Sequence, residues 1–348
     1  MTTAITKRRR RWSVAWVAAL ALSSMAVLER DARADTAPSV WGRARDPSEK
    51  TRWELHKRVR ERMANSVRPN PFFPTQSESE LLLIRSWLEE AQVAKGDDPV
   101  LLFDLGIVYE MLELHEKAIV VLERGLTLAP THPASDEAWL KLAFAYAKLD
   151  RPLDERRAYL AFLDRATQPD DRSVALLNFA ETEMRLGRLT EAIQSYRDAM
   201  EHSKHFARSS DTYVLAVWGL AVALDRYGDV SASERETESA VRLDSFDAVI
   251  GNREKVFFVP PYERGWYLGL GASARARKTN DPRMALRFAQ KAEAHFADYV
   301  AHATETDRWK ALADKRLAAA KRERLRLEAK VRAMPRLPAN RDLSDEVN

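Results

Sequence analysis

The feature that most constrains this chain is a recurrence of small residues within apolar, helix-like patterns. Gly106, Ala143 and Ala180 stand 37 residues apart, and Ala221 and Gly271 follow at steps of 41 and 50. Self-similarity at a period of roughly 20 to 50 residues is typical of repeat proteins, whose units bury their apolar faces only by stacking on their neighbours. The sequence therefore predicts an array of similar units in series.

The clearest unit, at about 99–132, consists of two predicted helices joined by a short turn. The residues that carry its pattern are Leu102, Leu105, Gly106, Tyr109, Ala118, Leu122, Gly125 and Pro130. Gly106 and Ala118 are small where the two helices of a hairpin cross closely, and the larger residues fill the space around that crossing. Pro130 cannot continue a helix, so it marks the turn into the next unit.

This order of residues resembles the tetratricopeptide repeat. Further units fall at about 136–169, 173–206, 214–247 and 264–303. The resemblance implies an all-α fold, a right-handed α-α superhelix of helical hairpins, and the scarcity of glycine (11 in 348 residues) also favours helix. Two positions depart from the pattern, because Glu155 replaces a small residue in the second unit and Glu183 replaces an aromatic residue in the third. We expect the second helix of unit two to pack loosely or to rotate.

Additional helices are expected at both ends of the repeats. A capping helix over 77–97 should cover the exposed face of the first unit, and a long basic helix is predicted over 304–334. Before the cap, 35–76 is an extended, proline-rich segment with room for a short helix at about 48–64. The tail at 335–348 is predicted to be disordered.

The N-terminus has the parts of a secretory signal peptide in the usual order over residues 1–34. A basic stretch at 7–11 precedes an apolar run at 12–28, and Ala32-Arg33-Ala34 offers a small-x-small cleavage site. The alternative is an uncleaved helix that anchors the protein in the inner membrane. Export predicts a bacterial periplasmic protein, and the sequence has no cysteine for disulfides or for a lipid anchor.

Export also changes the charge of the protein. Removing the seven basic and two acidic residues of positions 1–34 from totals of 56 and 52 leaves a net charge of −1. The pI near 9.1 therefore reflects the signal rather than the remainder. A basic nucleic-acid binder is not expected.

The resemblance implies that the first helices form a concave groove for a protein partner. The groove positions carried over are Phe103, Ile107, Leu140, Phe144, Lys148, Leu177, Glu181, Arg185, Trp218, Val222 and Asp225. Family members that capture the C-terminus of a partner use Lys and Asn at several of these places, whereas Phe103 and Ile107 stand at the first two here. We therefore expect a mixed apolar groove. The alternative, that neighbouring units cover some of these residues, stays open.

Two further segments allow a functional and a structural interpretation. The aromatic, proline-containing stretch 257–267 is either a partner-docking loop or a linker that folds its aromatic side chains onto the fourth unit. The run Lys315–Arg336 has nine Lys/Arg against two Glu, a net charge of +7. It is either the solvated face of a helix or a contact with membrane or glycan.

Catalytic patterns do not emerge from the sequence. Gly269, Gly271 and Ala274 imitate a dinucleotide-binding loop, but such a loop needs a preceding strand and a parallel sheet. We expect no enzyme, cofactor, metal or small-molecule substrate. The predicted function is a periplasmic scaffold for protein–protein interaction, and the alternative is a membrane-anchored structural subunit of an envelope-spanning complex whose basic C-terminal helix contacts membrane or glycan.

Overall fold

The computed structural model of the protein describes residues 47–66, 76–203, 210–252, 256 and 258–334. The predicted signal at 1–34, residues 35–46 and 67–75 of the proline-rich segment, Phe257 and the tail at 335–348 lie outside these ranges. Within them the protein forms thirteen α-helices and no strand. The all-α fold class is confirmed. No helix in these ranges has both the length and the apolarity that a bilayer crossing requires.

The helices follow one another with short connections. Their bounds are α1 Pro47–Ser66, α2 Gln76–Glu90, α3 Pro99–Met111, α4 His115–Leu128, α5 Ser135–Lys148, α6 Pro152–Arg165, α7 Pro169–Arg185, α8 Leu189–Ser203, α9 Ser210–Tyr227, α10 Val230–Leu243, α11 Arg264–Lys278, α12 Pro282–His302 and α13 Lys310–Arg332. Short 3₁₀ turns add Val93–Lys95 and Pro261–Glu263.

Each consecutive pair from α3 to α12 packs as a helical hairpin, and the five hairpins stack as an α-α superhelix. Gly106 shows why the pattern needs a small residue: a Cβ there would stand 2.4 Å from Leu122 of the partner helix. The last hairpin opens its second helix with Asp281, which accepts a hydrogen bond from the backbone amide of Arg283 at 3.0 Å, and with Pro282 at the first helical position.

The hydrophobic core divides into two main clusters that meet along α7. Ala175 and Phe179 pack with the first two hairpins and the N-terminal helices. Leu176 and Ala180, on the same helix, pack with the last two hairpins and α13. The junction between the second and third hairpins is therefore where the apolar core is least continuous.

Helices outside the hairpins pack against both ends of the stack. Helix α1 lies against α2 and α3, and α13 lies along α12. The capping helix expected over 77–97 is shorter than that range, because α2 ends at Glu90 and the 3₁₀ turn Val93–Lys95 follows it. The basic C-terminal helix begins at Lys310, after a turn at 304–309.

The aromatic stretch before α11 is packed rather than exposed. Trp266 and Tyr267 are buried, and the Phe258 ring lies 5.1 Å from the Tyr267 ring. Trp266 packs edge-on against Tyr299 of α12 at 5.1 Å. These aromatic side chains are therefore packed within the protein, and these contacts are with the fifth hairpin rather than with the fourth unit that the linker interpretation named.

Candidate functional site

Most of the groove positions that the resemblance implied are buried in the structure. Eight of the eleven are buried: Phe103, Ile107, Leu140, Phe144, Leu177, Trp218, Val222 and Asp225. Lys148 is exposed, and Glu181 and Arg185 are partly exposed. The expected open groove is thus closed along most of its length, and only these last three side chains have surface for a partner.

Three large side chains are covered because they pack into their own or neighbouring hairpins. The Phe103 ring lies against Gly125 of the same hairpin, where a Cβ would stand 2.8 Å from it. The Phe144 ring lies 6.4 Å from the Tyr159 ring of α6. Trp218 packs against Gly271 of α11. These three side chains act in the core and not as anchors for a partner.

Helix α1 closes the beginning of the face formed by the first helices. Asp104 of α3 is fully buried, and its two oxygens lie 2.7 Å from Arg60 Nε and 2.6 Å from His56 Nδ1. Arg60 also donates to Glu137 of α5 at 2.5 Å. A basic helix from the same protein therefore binds across the first helices of two hairpins.

Helix α13 closes the other end in a similar way. Asp225 of α9 is buried and accepts hydrogen bonds from Trp266 Nε1 at 3.0 Å and from both Nε and Nη2 of Arg316. Next to it, Arg226 donates to Glu263 at 2.6 Å. The carboxylate at this end thus also has an arginine from a helix outside the first-helix face.

The two departures from the repeat pattern meet at the seam between α6 and α7. Glu155 is buried and accepts from Thr182 Oγ1 at 2.6 Å and from Arg185 Nη1 at 2.9 Å. Glu183 is fully buried and accepts from Arg156 Nε. Both acidic residues therefore join the second hairpin to the third through ion pairs.

A pocket opens at this polar seam, on the side of the first helices. Its lining comes from α5 (Ala147), α6 (Glu155, Tyr159), α7 (Leu177, Asn178, Glu181, Arg185), α9 (Leu215), α11 (Tyr267) and the connection before α11 (Ile250, Val256, Phe258, Val259). Its enclosed volume is about 40 Å³, and the depression measures about 600 Å³ when the open solvent at its mouth is included. Apolar walls with a few converging polar groups are the usual composition of a binding pocket.

Glu181 is the carboxylate of this pocket that lacks a cation. One of its oxygens accepts from Tyr267 Oη at 3.1 Å. No ion pair of Glu181 occurs among the residues that the structure describes. Arg185 on the same helix is committed to Glu155 and to Asp150.

Burial determines the ionisation of the pocket carboxyls. Removal from water raises the pKa of Glu181 to about 7, and the hydrogen bond from Tyr267 lowers it only in part. Burial also raises the pKa of Glu155 to about 7 and outweighs the charge of Arg185. A cation beside Glu181 would favour its charged form.

The family resemblance implied Glu181, Arg185 and Lys148 as groove members but did not indicate that they lie together. Glu181 and Arg185 line the pocket, and Lys148 follows the lining residue Ala147. Tyr159, Ile250 and Val256 were not assigned to a site, whereas Phe258, Val259 and Tyr267 belong to the stretch 257–267, for which partner docking was one of two interpretations. The signal that pointed here was Glu155, an acidic residue at a position where the repeat has a small one.

About half of the basic residues that the structure describes in Lys315–Arg336 form ion pairs. Arg316 pairs with Asp225 and Arg324 with Glu293, while Arg326 and Arg332 pair with glutamates of the same helix. Four exposed basic residues show no ion pair within the described ranges: Lys315, Lys321, Arg322 and Lys330. The basic face is thus smaller than the sequence suggested.

Nothing in the geometry assembles a catalytic group or metal site in the described part of the protein. No cluster of three or more His, Asp or Glu side chains with metal-binding proximity occurs there. Gly269 and Gly271, which imitate a dinucleotide loop, lie inside helix α11 and face Phe296 and Trp218. They serve close helix packing.

Comparison with known proteins yields distant structural similarity. The chain is similar to a tetratricopeptide repeat protein from Parabacteroides merdae (14% identity, TM-score 0.44, covering 77% of this chain and 99% of that one). It is similar to pilF of Pseudomonas aeruginosa (18% identity, TM-score 0.37, covering 71% of this chain and 99% of that one). It is also similar to the apo form of the quorum sensor NprR from B. thuringiensis (12% identity, TM-score 0.46, covering 89% of this chain and 86% of that one). No family model and no curated protein sequence matches the chain. The fold and the site therefore rest on the geometry of the protein itself.

Proposed function

We propose that this protein is a non-enzymatic scaffold for protein–protein interaction, which binds a segment of a partner at the pocket between its second and third hairpins. The observation that carries the proposal is the pocket lined by Glu181 and Arg185, with Lys148 next in sequence to the lining residue Ala147. Lys148, Glu181 and Arg185 are the groove positions that keep accessible surface, while the other eight are covered. The binding surface is thus a short stretch of the first-helix face rather than its whole length.

The proposal includes export to the bacterial periplasm. It is supported by the order of basic, apolar and small-residue segments over 1–34 and by the near-neutral charge of the remainder. The mass of the protein recovered from a periplasmic fraction tests it. A mass that begins at Asp35 is expected, and a mass that begins at Met1 in the membrane fraction would contradict it.

A photo-crosslinking experiment tests the position of the partner. A photoreactive amino acid is placed at Lys148 or at Val259, which are exposed or partly exposed at the pocket. The matched control carries it at Val120, which is 67% exposed on α4, a second helix of a hairpin. We expect a crosslinked polypeptide from the first two positions and none from the third. Equal crosslinking at all three would show that the partner does not bind at the pocket.

The second candidate is an anchored envelope subunit whose C-terminal helix binds an anionic surface. It is favoured by the four exposed basic residues of α13 that have no ion pair in the described structure: Lys315, Lys321, Arg322 and Lys330. Co-sedimentation with anionic phospholipid vesicles tests it. Binding that disappears when Lys315 and Arg322 are both changed to Ala would support this candidate, and absence of binding at low salt would exclude it.

A further inference from the structure

The buried carboxylates on the first helices share one kind of partner at the two ends of the molecule. Asp104 of α3 is bound by Arg60 of α1, at 2.7 Å. Asp225 of α9 is bound by Arg316 of α13, with a carboxylate oxygen 3.0 Å from its Nε. In both cases the arginine comes from a basic helix outside the hairpins. A guanidinium suits this role because its planar donors pair with a carboxylate even when little water remains.

Glu181 lies on the first helix between these two sites and has no such partner among the described residues. Its hydrogen bond comes from the neutral Tyr267 hydroxyl. The two nearby arginines are engaged elsewhere: Arg185 binds Glu155 and Asp150, and Arg226 binds Glu263. The carboxylate of Glu181 therefore faces the pocket without the compensating charge that Asp104 and Asp225 have.

The pocket around Glu181 suits a side chain with an apolar stem and a cationic end. Leu177, Leu215, Phe258 and Val259 supply apolar wall on which methylene groups pack. Among the lining residues, Glu155 and Glu181 stand against Arg185 as the single cation, so the pocket has a formal charge of −1 when both carboxyls are ionised. One added guanidinium makes the lining neutral.

We propose that this pocket binds an arginine side chain of a partner polypeptide, with Glu181 as the carboxylate that receives the guanidinium. The proposal rests on the proposed scaffold function and specifies the chemistry of its partner. It follows the way in which the protein binds its own helices α1 and α13. The partner's arginine takes the place at the third hairpin that Arg60 and Arg316 take at the first and fourth.

Calorimetric titration of the full-length protein tests the proposal with two matched probes. Nα-acetyl-arginine amide carries the guanidinium, and Nα-acetyl-citrulline amide is its neutral isostere. Charge-assisted hydrogen bonds contribute more than neutral ones, so we expect the arginine probe to bind at least about tenfold more tightly. In Glu181→Gln the two probes should bind within about twofold of each other. The control Glu191→Gln, an exposed carboxylate on α8, should keep the wild-type preference.

Thermal unfolding followed by circular dichroism separates a lost site from a lost fold. Glu181→Gln keeps an acceptor for Tyr267, so we expect a folded protein with a cooperative transition. Equal affinity of the two probes for the wild type, or no saturable binding of the arginine probe, overturns the proposal. So does a folded Glu181→Gln variant that retains the full preference for arginine.

The failure of this proposal and the failure of the scaffold function give different results. If a polypeptide still crosslinks at Lys148 in the Glu181→Gln variant, the scaffold stands and the arginine assignment is overturned. If the arginine probe binds with the expected preference but no polypeptide crosslinks at the pocket, the guanidinium site stands and the scaffold function is contradicted.

Discussion

The two ends of the first-helix face differ from its middle in how their carboxylates are neutralised. At the ends, Asp104 and Asp225 are bound by Arg60 and Arg316 from helices α1 and α13 of the same protein. In the middle, Glu181 contacts a tyrosine hydroxyl and an open pocket. The carboxylates at the ends thus already have cationic partners, because the protein supplies them from its own basic helices.

This difference shows that extra helices can occupy the surface that a repeat array uses for binding. The terminal units of a repeat array need capping elements with a polar outer face, whereas its concave face usually serves for binding. Here α1 binds Asp104 and α13 binds Asp225 at the two ends, while Phe103, Phe144 and Trp218 are buried by their own or neighbouring hairpins. Among the described groove positions, those that keep accessible surface lie on the helices that flank the polar seam between the second and third hairpins.

The largest expected effect comes from a covered groove position. Trp218 is fully buried and its Nε1 donates to Asp244 at 3.2 Å. Trp218→Ala should lower the free energy of unfolding by about 4–5 kcal/mol, because it leaves a large cavity. Lys148→Ala, at an exposed position of the open middle, should change it by less than about 0.5 kcal/mol. Chemical denaturation measures both, and similar costs would contradict the distinction between covered and open positions.

A somewhat smaller loss is expected at the first end. Arg60 is only 6% exposed and Asp104 is fully buried. Arg60→Ala leaves a buried carboxylate without its arginine, so we expect a loss of about 3–4 kcal/mol in unfolding free energy. The double variant Arg60→Met with Asp104→Leu should recover part of this loss, since it removes the buried carboxylate but leaves Glu137 without its arginine. Failure of the double variant to recover stability would show that Arg60 acts by another route.

The second end offers a matched pair of neighbouring residues on α13. Arg316 binds buried Asp225 but is itself 24% exposed, and Asp225 keeps the hydrogen bond from Trp266. Arg316→Ala should therefore cost about 2 kcal/mol of unfolding free energy. Lys315→Ala, at the adjacent exposed position, should cost less than about 0.5 kcal/mol. Equal effects of the two changes would show that Arg316 does not stabilise the protein by binding Asp225.

Glu181, in the middle of the first-helix face, should make the free energy of unfolding depend on pH. Burial raises the folded-state pKa of Glu181 to about 7, above the value of 4.5 that applies when it is exposed. The folded state therefore binds more protons between pH 4.5 and 7, and this residue makes stability fall as pH rises through that window. Arg185 and Arg226 oppose the shift, while Glu263 adds to it and Tyr267 donates to the carboxylate.

Glu181→Gln removes this contribution. We expect the variant to gain stability relative to wild type by about 1–2 kcal/mol at about pH 8 and by almost nothing at about pH 4.5. Denaturation curves of both proteins at the two pH values measure the difference, and comparing the two proteins cancels the similar contribution of Glu155. A variant that is less stable than wild type at the higher pH would show that Glu181 already has a cationic partner.

The repeat fold could be predicted because its signals are local. Gly106 and Ala118 marked the first helix crossing, and the contact of Gly106 with Leu122 is the reason for its small size. Glu155 and Glu183 could also be recognised as departures from the repeat pattern, because each is a charged residue where the pattern has a small or an aromatic one. The ion pairs that accommodate them were not predictable, because Arg185 stands 30 positions from Glu155 and Arg156 stands 27 positions from Glu183.

The position of the site could be predicted only in part. The resemblance supplied Glu181 and Arg185, but it also supplied Phe103 and Trp218, which the structure buries. A repeat pattern describes a hairpin and its neighbours, and it contains no information on helices that fold back over the array. The contact of Arg316 with Asp225 joins residues 91 positions apart, which no local pattern reports.

The central claim is that Glu181, in the middle of the first-helix face, has no bound cation, and the pKa of its carboxyl tests this most directly. That pKa is measured by ¹³C NMR on glutamate-labelled protein. The signal is assigned by its loss in Glu181→Gln. We predict a pKa of about 7 for the free protein, because burial disfavours the charged form more than the hydrogen bond from Tyr267 and the nearby Arg226 and Arg185 favour it. We also predict a fall of at least about one unit when Nα-acetyl-arginine amide saturates the pocket, and no fall with the citrulline probe. A pKa near 4.5 in the free protein, or one that the arginine probe leaves unchanged, would contradict the assignment of Glu181 as the unpaired carboxylate that receives a guanidinium.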